Sequence, residues 1–168
     1  MRDTLLILDY DRLTSRMAVC MLRGSRICCR ILPWDVDEET LEQEEPAGLL
    51  LCAASDTPDV TIPPQVLNCR GPILALGSAA AALNAALGGQ NSACFPLNGL
   101  TEIDYSECPL LNGLTSGQRL LKTLTPMRVP EGAQLIAAFG AERIAVGFSL
   151  GGARRFGLQV DLEIHDPD

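Results

Sequence analysis

The sequence has few of the side chains that most catalytic sites and nucleic-acid surfaces need. Its 168 residues include one histidine, one tryptophan, two tyrosines and four phenylalanines, and 13 basic residues stand against 21 acidic ones. Because basic clusters supply most of the affinity for nucleic acid, the net charge of −8 argues against a nucleic-acid partner. The apolar runs are too short to span a membrane, so no membrane partner is expected. The length predicts a single domain, residues 1–168.

Seven cysteines occur without a C-x-x-C pair. The first residues lead into an apolar strand rather than a signal peptide, and an odd cysteine count without a secretory context is typical of reduced thiols. We therefore expect a cytoplasmic protein with no metal site and no cofactor. Five cysteines fall in predicted core elements, where a free thiol packs as a small hydrophobe: Cys20, Cys28, Cys29, Cys52 and Cys69.

The order of apolar runs predicts an α/β fold. Residues 4–8, 48–52 and 72–76 are continuous apolar runs, which is typical of parallel strands covered by helices on both faces. Residues 26–31 predict another strand, and a short helical turn is expected at 63–68. A helix between the first two strands, ending near Gly24, carries an apolar face formed by Leu13, Met17, Cys20 and Met21.

The second half of the chain has a different pattern. Turn signals separate short strand-like pieces, which predicts antiparallel additions and hairpins: residues 118–123, 133–138, 144–149 and 155–160. Seven acids lie within residues 35–45, either as a solvated helix or loop or as a surface that docks a basic partner. The expected fold is three-layered, with a mostly parallel central sheet and antiparallel additions.

The stretch 71–89, GPILALGSAAAALNAALGG, is the most informative part of the sequence. It predicts a buried strand at 72–76, a tight turn at Gly77 and Ser78, and a helix at 79–87 that two glycines end. A sharp turn from strand to helix is the form of a nucleophile elbow, which presents one reactive side chain above the sheet.

The chain resembles the class I glutamine amidotransferase family, and especially the glutaminase part of GMP synthase, in six segments that occur in the family's order. They are residues 6–10 (LILDY, similar to L-I-L-D-Y/F), 31–35 (ILPWD, similar to I-L-P-Y/W-D), 46–51 (PAGLLL, similar to P-x-G-I-I-L), 108–114 (CPLLNGL, similar to S-P-L-F-x-G-L), 129–137 (VPEGAQLIA, similar to L-P-E-G-F-x-x-I-A) and 156–160 (FGLQV, similar to Y-G-V-Q-F). The resemblance implies a flavodoxin-like core and a site for glutamine hydrolysis.

The same resemblance places the catalytic positions on residues that cannot do this chemistry. The nucleophile position falls on Gly77 and the base position on Asp161, and Glu163 is the one catalytic residue retained. A thioester mechanism needs a nucleophile, a base and an oxyanion site together. The family's S-H-G-D loop is not found near residues 121–124. Remnants of the substrate pocket fall on Ala53 and Ala54 at the oxyanion loop, on Ser78, and on Ala81, four residues after the nucleophile position.

Ser78 is the best substitute for the missing nucleophile, but serine is also a favoured N-cap. We therefore expect Ser78 to cap the helix or to be solvated. The sole histidine, His165, is expected in a solvated C-terminal tail. Gly77 is expected to occupy the turn with relaxed dihedral angles, because it presents no side chain.

Three functions agree with these residues. The first is a catalytically inactive glutaminase-like domain that acts as a binding or regulatory module. The second is a glutaminase subunit of a GMP-synthase-like amidotransferase that uses unconventional residues such as Ser78. The third is a small-molecule sensor that uses the old glutamine pocket. The expected partner is a synthetase-type protein subunit or a second copy of the chain.

Overall fold

The computed structural model describes residues 3–97 and 99–162. The helices are α1 (Arg12–Gly24), α2 (Glu38–Glu44), α3 (Pro64–Leu67) and α4 (Ser78–Ala86). The strands are β1 (Leu5–Asp9), β2 (Cys29–Pro33), β3 (Gly48–Cys52), β4 (Ile73–Leu76), β5 (Gln90–Asn91), β6 (Phe95–Pro96), β7 (Leu100–Tyr105), β8 (Gly117–Leu120), β9 (Thr123–Leu124), β10 (Met127–Arg128), β11 (Gln134–Phe139), β12 (Ile144–Leu150) and β13 (Arg155–Leu158).

One large sheet runs through the molecule in the order β2-β1-β3-β4-β13-β12-β11-β7-β8. Its first five strands are parallel and the remaining pairs are antiparallel. The order of the first four strands is that of the flavodoxin-like doubly wound sheet, in which sites form beyond the carboxyl ends of the strands. The predicted mostly parallel sheet with antiparallel additions is therefore confirmed.

Helices cover both faces of the parallel strands. Leu8 of β1 belongs to the core on which α2, α3 and α4 pack. Its neighbour Ile7 belongs to the core on the opposite face, beneath α1, as expected because successive strand residues point to opposite faces. No helix within residues 3–97 and 99–162 is both long and apolar enough to cross a membrane.

Strand β3 has the predicted bounds, but β2 begins three residues later than predicted. Helix α1 ends at Gly24, but a hydrogen-bonded turn follows it. In this turn the Ile27 amide donates to the Leu22 carbonyl and the Arg26 amide donates to the Arg23 carbonyl. Arg26 adopts a positive φ of 60° in this turn. The chain therefore reaches the sheet only at Cys29.

Two further expectations from the sequence are wrong. The apolar face predicted for α1 is not its buried face, since Thr14, Ser15 and Ala18 are the buried residues of this helix. Of the cysteines expected in the core, Cys29 and Cys52 are buried, whereas Cys20 and Cys28 are exposed. Both errors have one cause: apolar residues on α1 and just after it were assumed to face the sheet.

Strand β7 was not predicted, although it pairs with β8 and β11 in the antiparallel half of the sheet. It alternates strictly, with Thr101 and Ile103 buried and Glu102 and Asp104 exposed. Alternation of this kind is the signal for a strand with one solvated face. In the sequence this signal is broken, because apolar Leu100 takes an exposed position and polar Thr101 a buried one.

Arg155, the first residue of β13, anchors the segment that leads into β4. Its guanidinium is buried and donates to four main-chain carbonyls, at 2.6–2.9 Å, on Leu67, Cys69, Gly71 and Ala153. Burial lowers the pKa of this guanidinium. Strand β4 leads directly into the turn at Gly77. Arg155 therefore holds in place the amino-terminal end of the strand whose carboxyl end forms this turn.

We predict that Arg155→Met lowers the free energy of unfolding by about 2–4 kcal/mol, because several buried carbonyls lose a charge-assisted donor. Urea denaturation followed by circular dichroism measures the loss. Arg128→Met, at an exposed arginine of β10, is the matched control and should change stability by less than about 0.5 kcal/mol. Equal effects of the two substitutions would contradict this role of Arg155.

Candidate functional site

The turn between β4 and α4 keeps the sharp form of an elbow. Gly77 is the N-cap residue of α4 and has φ 60° and ψ −131°, a conformation that residues with a side chain rarely adopt. Its amide donates to the Leu158 carbonyl at the end of β13, at 3.1 Å. The expectation of relaxed dihedral angles is therefore wrong, since the turn is still one that strains any residue except glycine.

The space for a side chain at this turn is filled by main-chain atoms. A Cβ on Gly77 would lie 2.8 Å from the Ala54 carbonyl carbon and 2.9 Å from that of Ala53, and closer still to the Ala53 carbonyl oxygen. Real Cβ atoms essentially never come within 3.0 Å of such neighbours. The loop that follows β3 therefore occupies the position from which an elbow presents its nucleophile.

The loop of Ala53 and Ala54 also accepts a hydrogen bond from an amide that, in a nucleophile elbow, would stabilise the oxyanion. In hydrolase elbows, the amide of the residue after the nucleophile is one of the two oxyanion donors. Here that amide, on Ser78, donates to the Ala54 carbonyl at 3.2 Å, and the Thr57 amide donates to the same oxygen at 3.1 Å. Neither alanine has a positive φ, so the loop directs carbonyls, rather than amides, toward the turn.

Both carboxylate oxygens of Asp161, at the predicted base position, accept hydrogen bonds. One carboxylate oxygen accepts from the Ser55 amide at 2.6 Å. The other accepts from the Ser55 hydroxyl at 2.6 Å and from the Lys122 amide at 3.1 Å. The Ser55 oxygen in turn accepts from the amides of Lys122 and Thr123. Asp161 thus links the segment after β13 to the loop after β3 and to the segment between β8 and β9.

Ser78 does not cap α4, because Gly77 occupies the cap position and Ser78 is the first helical residue. Its hydroxyl oxygen is buried and has no hydrogen-bond partner among the described residues. Both expectations for Ser78, capping and solvation, are therefore wrong. The expectations for Glu163 and His165 concern residues outside the described ranges.

An open cleft of about 490 Å³ lies beside the elbow, between α4, the loop at 57–62 and the segment at 91–94. Ser78 and Ala81, two of the predicted pocket remnants, line it, whereas Gly77, Ala53, Ala54 and Asp161 do not. Its lining is made of alanines, aliphatic side chains, hydroxyls and one amide, with Asp59 as its one charged residue and Cys94 as its one thiol. No cationic side chain of this lining is placed to bind a carboxylate.

Cys52, the last residue of β3, is the thiol nearest in sequence to the loop, and it is fully buried. Burial, with smaller contributions from the charges of Asp9 and Asp11, raises the pKa of this thiol to about 12. Since the thiolate is the reactive form, Cys52 is a core residue rather than a displaced nucleophile. Within the described residues, no group of three or more His, Cys, Asp and Glu side chains is placed to hold a metal ion.

Comparison with known proteins agrees with this fold. No family model matches the sequence. The glutamine-hydrolysing GMP synthase of Ruthia magnifica subsp. Calyptogena magnifica is 27% identical over 176 residues, which cover 96% of this chain and 33% of that protein. The chain therefore spans about one third of the length of the curated relative it matches.

Solved structures give the same result. A protein described as a GMP synthase subunit, from Thermoplasma acidophilum, superimposes with a TM-score of 0.74 at 17% identity, covering 95% of this chain and 84% of its own. A glutamine amidotransferase from Thermotoga maritima gives 0.63 at 13% identity, covering 95% and 76%. One from Methylobacillus flagellatus gives 0.63 at 15%, covering 96% and 70%. The chain therefore has the fold of these glutamine amidotransferases. Among curated proteins, its sequence is similar to GMP synthase.

We predict that Gly77→Ala lowers the free energy of unfolding by more than about 3 kcal/mol, because the new methyl group overlaps the Ala53 carbonyl at a strained φ. Gly132→Ala is the matched control: Gly132 also has a positive φ, 79°, but nothing lies within 4 Å of the added Cβ. It should lose only about 1 kcal/mol of conformational energy. Chemical denaturation measures both, and equal losses would show that the space at Gly77 is open.

We also predict strong coupling between Asp161 and Ser55. Asp161→Ala should cost about 2–4 kcal/mol of stability, because a buried amide and hydroxyl lose a charged acceptor. In a double-mutant cycle with Ser55→Ala, the two losses should fall short of additivity by about 1 kcal/mol or more. Additive losses would contradict the assignment of Asp161 to a structural hydrogen-bond network.

Proposed function

We propose that this chain is a catalytically inactive glutaminase-like domain that acts as a binding or regulatory module. The observation that carries the proposal is the Ala53 carbonyl in the space of the nucleophile's side chain. The absence of a cysteine thiol could result from a single substitution. Main-chain atoms in the space of the side chain require, in addition, a different path of the loop after β3. The turn therefore lacks both a nucleophilic side chain and the space for one.

The base and oxyanion positions support the same conclusion. A nucleophile and its base act as a unit, so each is of little use without the other. The carboxylate of Asp161 already accepts three hydrogen bonds, and the Ser78 amide is bonded to Ala54. The carboxylate at the base position and the amide at the oxyanion position are thus both engaged in hydrogen bonds within the chain.

The alternative of an unconventional glutaminase depends on Ser78 as nucleophile. A serine nucleophile needs a base within hydrogen-bond reach. No described residue makes a hydrogen bond to the Ser78 hydroxyl, which is shielded from solvent. This alternative is therefore less well supported than the inactive module.

A small-molecule sensor is a second candidate, and the open cleft beside α4 is the observation that favours it. The lining lacks a cation for the carboxylate of glutamine, and Ala81 stands where the family has a substrate-binding glutamine. A ligand of this cleft would accordingly be a neutral or cationic molecule rather than glutamine. Isothermal titration with glutamine should then show no binding.

The partner we propose is a separate synthetase-type subunit. The chain spans one third of a glutamine-hydrolysing GMP synthase, and the Thermoplasma acidophilum protein that it resembles is described as one subunit of such an enzyme. A module of this kind would bind and control the synthetase-type protein without delivering ammonia. We keep the cytoplasm as the expected location.

We predict no ammonia release from glutamine above background, either alone or with a synthetase-type subunit present. A glutamine analogue that alkylates active-site cysteines should leave residues 77–78 unmodified in mass spectra, while an active class I glutaminase is labelled under the same conditions. Gly77→Cys, alone or with Asp161→His, should not gain activity, because the thiol has no space beside Ala53. Steady turnover by the wild-type chain, or an adduct on Ser78, would sink the proposal.

A further inference from the structure

Helix α1 packs Val19 and Leu22 on the core but leaves two other large apolar side chains exposed. Leu13 is 68% exposed and Met21 is 48% exposed, whereas Thr14, Ser15 and Ala18 are buried against the sheet. The two exposed side chains forgo the favourable free energy that burial of a leucine or methionine contributes. The helix therefore has a second apolar surface that residues 3–97 and 99–162 leave largely uncovered.

The exposed residues form a continuous stripe. Leu13, Met17 and Met21 are spaced four residues apart, so they lie on one side of the helix, one turn above another. Met17 in the centre is half-buried. Methionine is flexible and polarisable, and it is used often at surfaces that bind partner proteins.

A stripe of arginines borders the apolar one. Arg12, Arg16 and Arg23 follow the same helical spacing on the adjoining flank, and all three are exposed. Within the described residues none of them forms an ion pair, in contrast to Arg30, which pairs with Glu44. This local positive charge is an exception in a chain with a net charge of −8.

We propose that the α1 outer face, formed by Arg12, Leu13, Arg16, Met17, Met21 and Arg23, binds an amphipathic segment of a partner protein whose apolar side chains are flanked by carboxylates. Apolar contacts in the centre and complementary charges at the rim are the usual division of roles in protein interfaces. This inference does not depend on the proposed function, because it concerns a different surface from the elbow and its cleft.

A second copy of the chain fits this face less well. Two α1 helices paired antiparallel about a two-fold axis set like flanks against each other, which would bring arginine against arginine. The acidic helix α2 of a second copy would supply the charge. However, its Leu41 is buried, so its exposed side has no apolar residue to cover the stripe. The complementary surface therefore belongs to a different protein.

The test uses two synthetic amphipathic peptides of about five helical turns each. Both carry leucine at every third or fourth position, one with glutamates on the flanks and the other with lysines in their place. Fluorescence anisotropy measures the affinity, and amide chemical shifts of the isotopically labelled full chain locate the site. We expect the glutamate peptide to bind at least about tenfold more tightly, with shifts concentrated in residues 12–23 and an affinity that falls as salt rises.

Variants make the test specific. Arg16→Glu with Arg23→Glu should invert the preference, so that the lysine peptide binds more tightly. Leu13→Gln with Met21→Gln should weaken binding at least about tenfold. Leu100→Gln, at a leucine of β7 that is 62% exposed, is the matched control and should leave the affinity unchanged. Circular dichroism confirms that each variant is folded, and the inverted preference is a gain that misfolding cannot produce.

Several results would overturn the inference. Equal affinity for the two peptides, no inversion in the charge-reversed variant, or shifts located away from α1 would each show that this face does not select a carboxylate-flanked segment. Dimers in sedimentation equilibrium that Leu13→Gln with Met21→Gln abolishes would assign the face to a second copy. Binding to vesicles of phosphatidylserine and phosphatidylcholine that requires the same residues would assign it to a membrane surface.

Discussion

The close approach of the Ala53 carbonyl to Gly77 is the constraint on which the rest of this site depends. Strands β3 and β4 are parallel neighbours, with Cys52 beside Leu76, so the chain leaves both strands at the same edge of the sheet. The two exits must share one small volume. Glycine at position 77 leaves that volume to the main chain of the neighbouring loop.

With the loop after β3 at the turn, the amide at the oxyanion position and the carboxylate at the base position form hydrogen bonds within the chain. The Ser78 amide bonds to Ala54, and Asp161 joins Ser55 to Lys122. The result is a hydrogen-bonded junction between three segments that are distant in sequence. Arg155, at the start of β13, holds the segment that leads into β4 through its bonds to the Gly71 and Leu67 carbonyls. The sheet thus has the fold of glutamine amidotransferases, and hydrogen bonds join the segments at its carboxyl edge.

The sequence predicts the scaffold well because motif order and apolar runs report on the sheet. It placed Gly77 at the elbow and β3 at Gly48–Cys52, and the resemblance to class I glutamine amidotransferases is confirmed. It did not predict which atoms fill the space above Gly77. Matching motifs assigns a residue to each position, but it does not show which neighbouring atoms surround that residue. It also assigned the wrong face of α1 to the core, because this helix has two apolar sides. Periodicity cannot tell which side the sheet covers, so Leu13 and Met21 were misplaced.

The most direct test of the central claim is a high-resolution crystal structure of the chain, examined at the turn between β4 and α4. We predict that an ideal Cβ built on Gly77 falls within 3.0 Å of the Ala53 carbonyl and that Asp161 hydrogen-bonds to both the amide and the hydroxyl of Ser55. A loop that lies away from the turn, leaving room for a cysteine side chain at position 77 and amides directed toward it, would contradict the account.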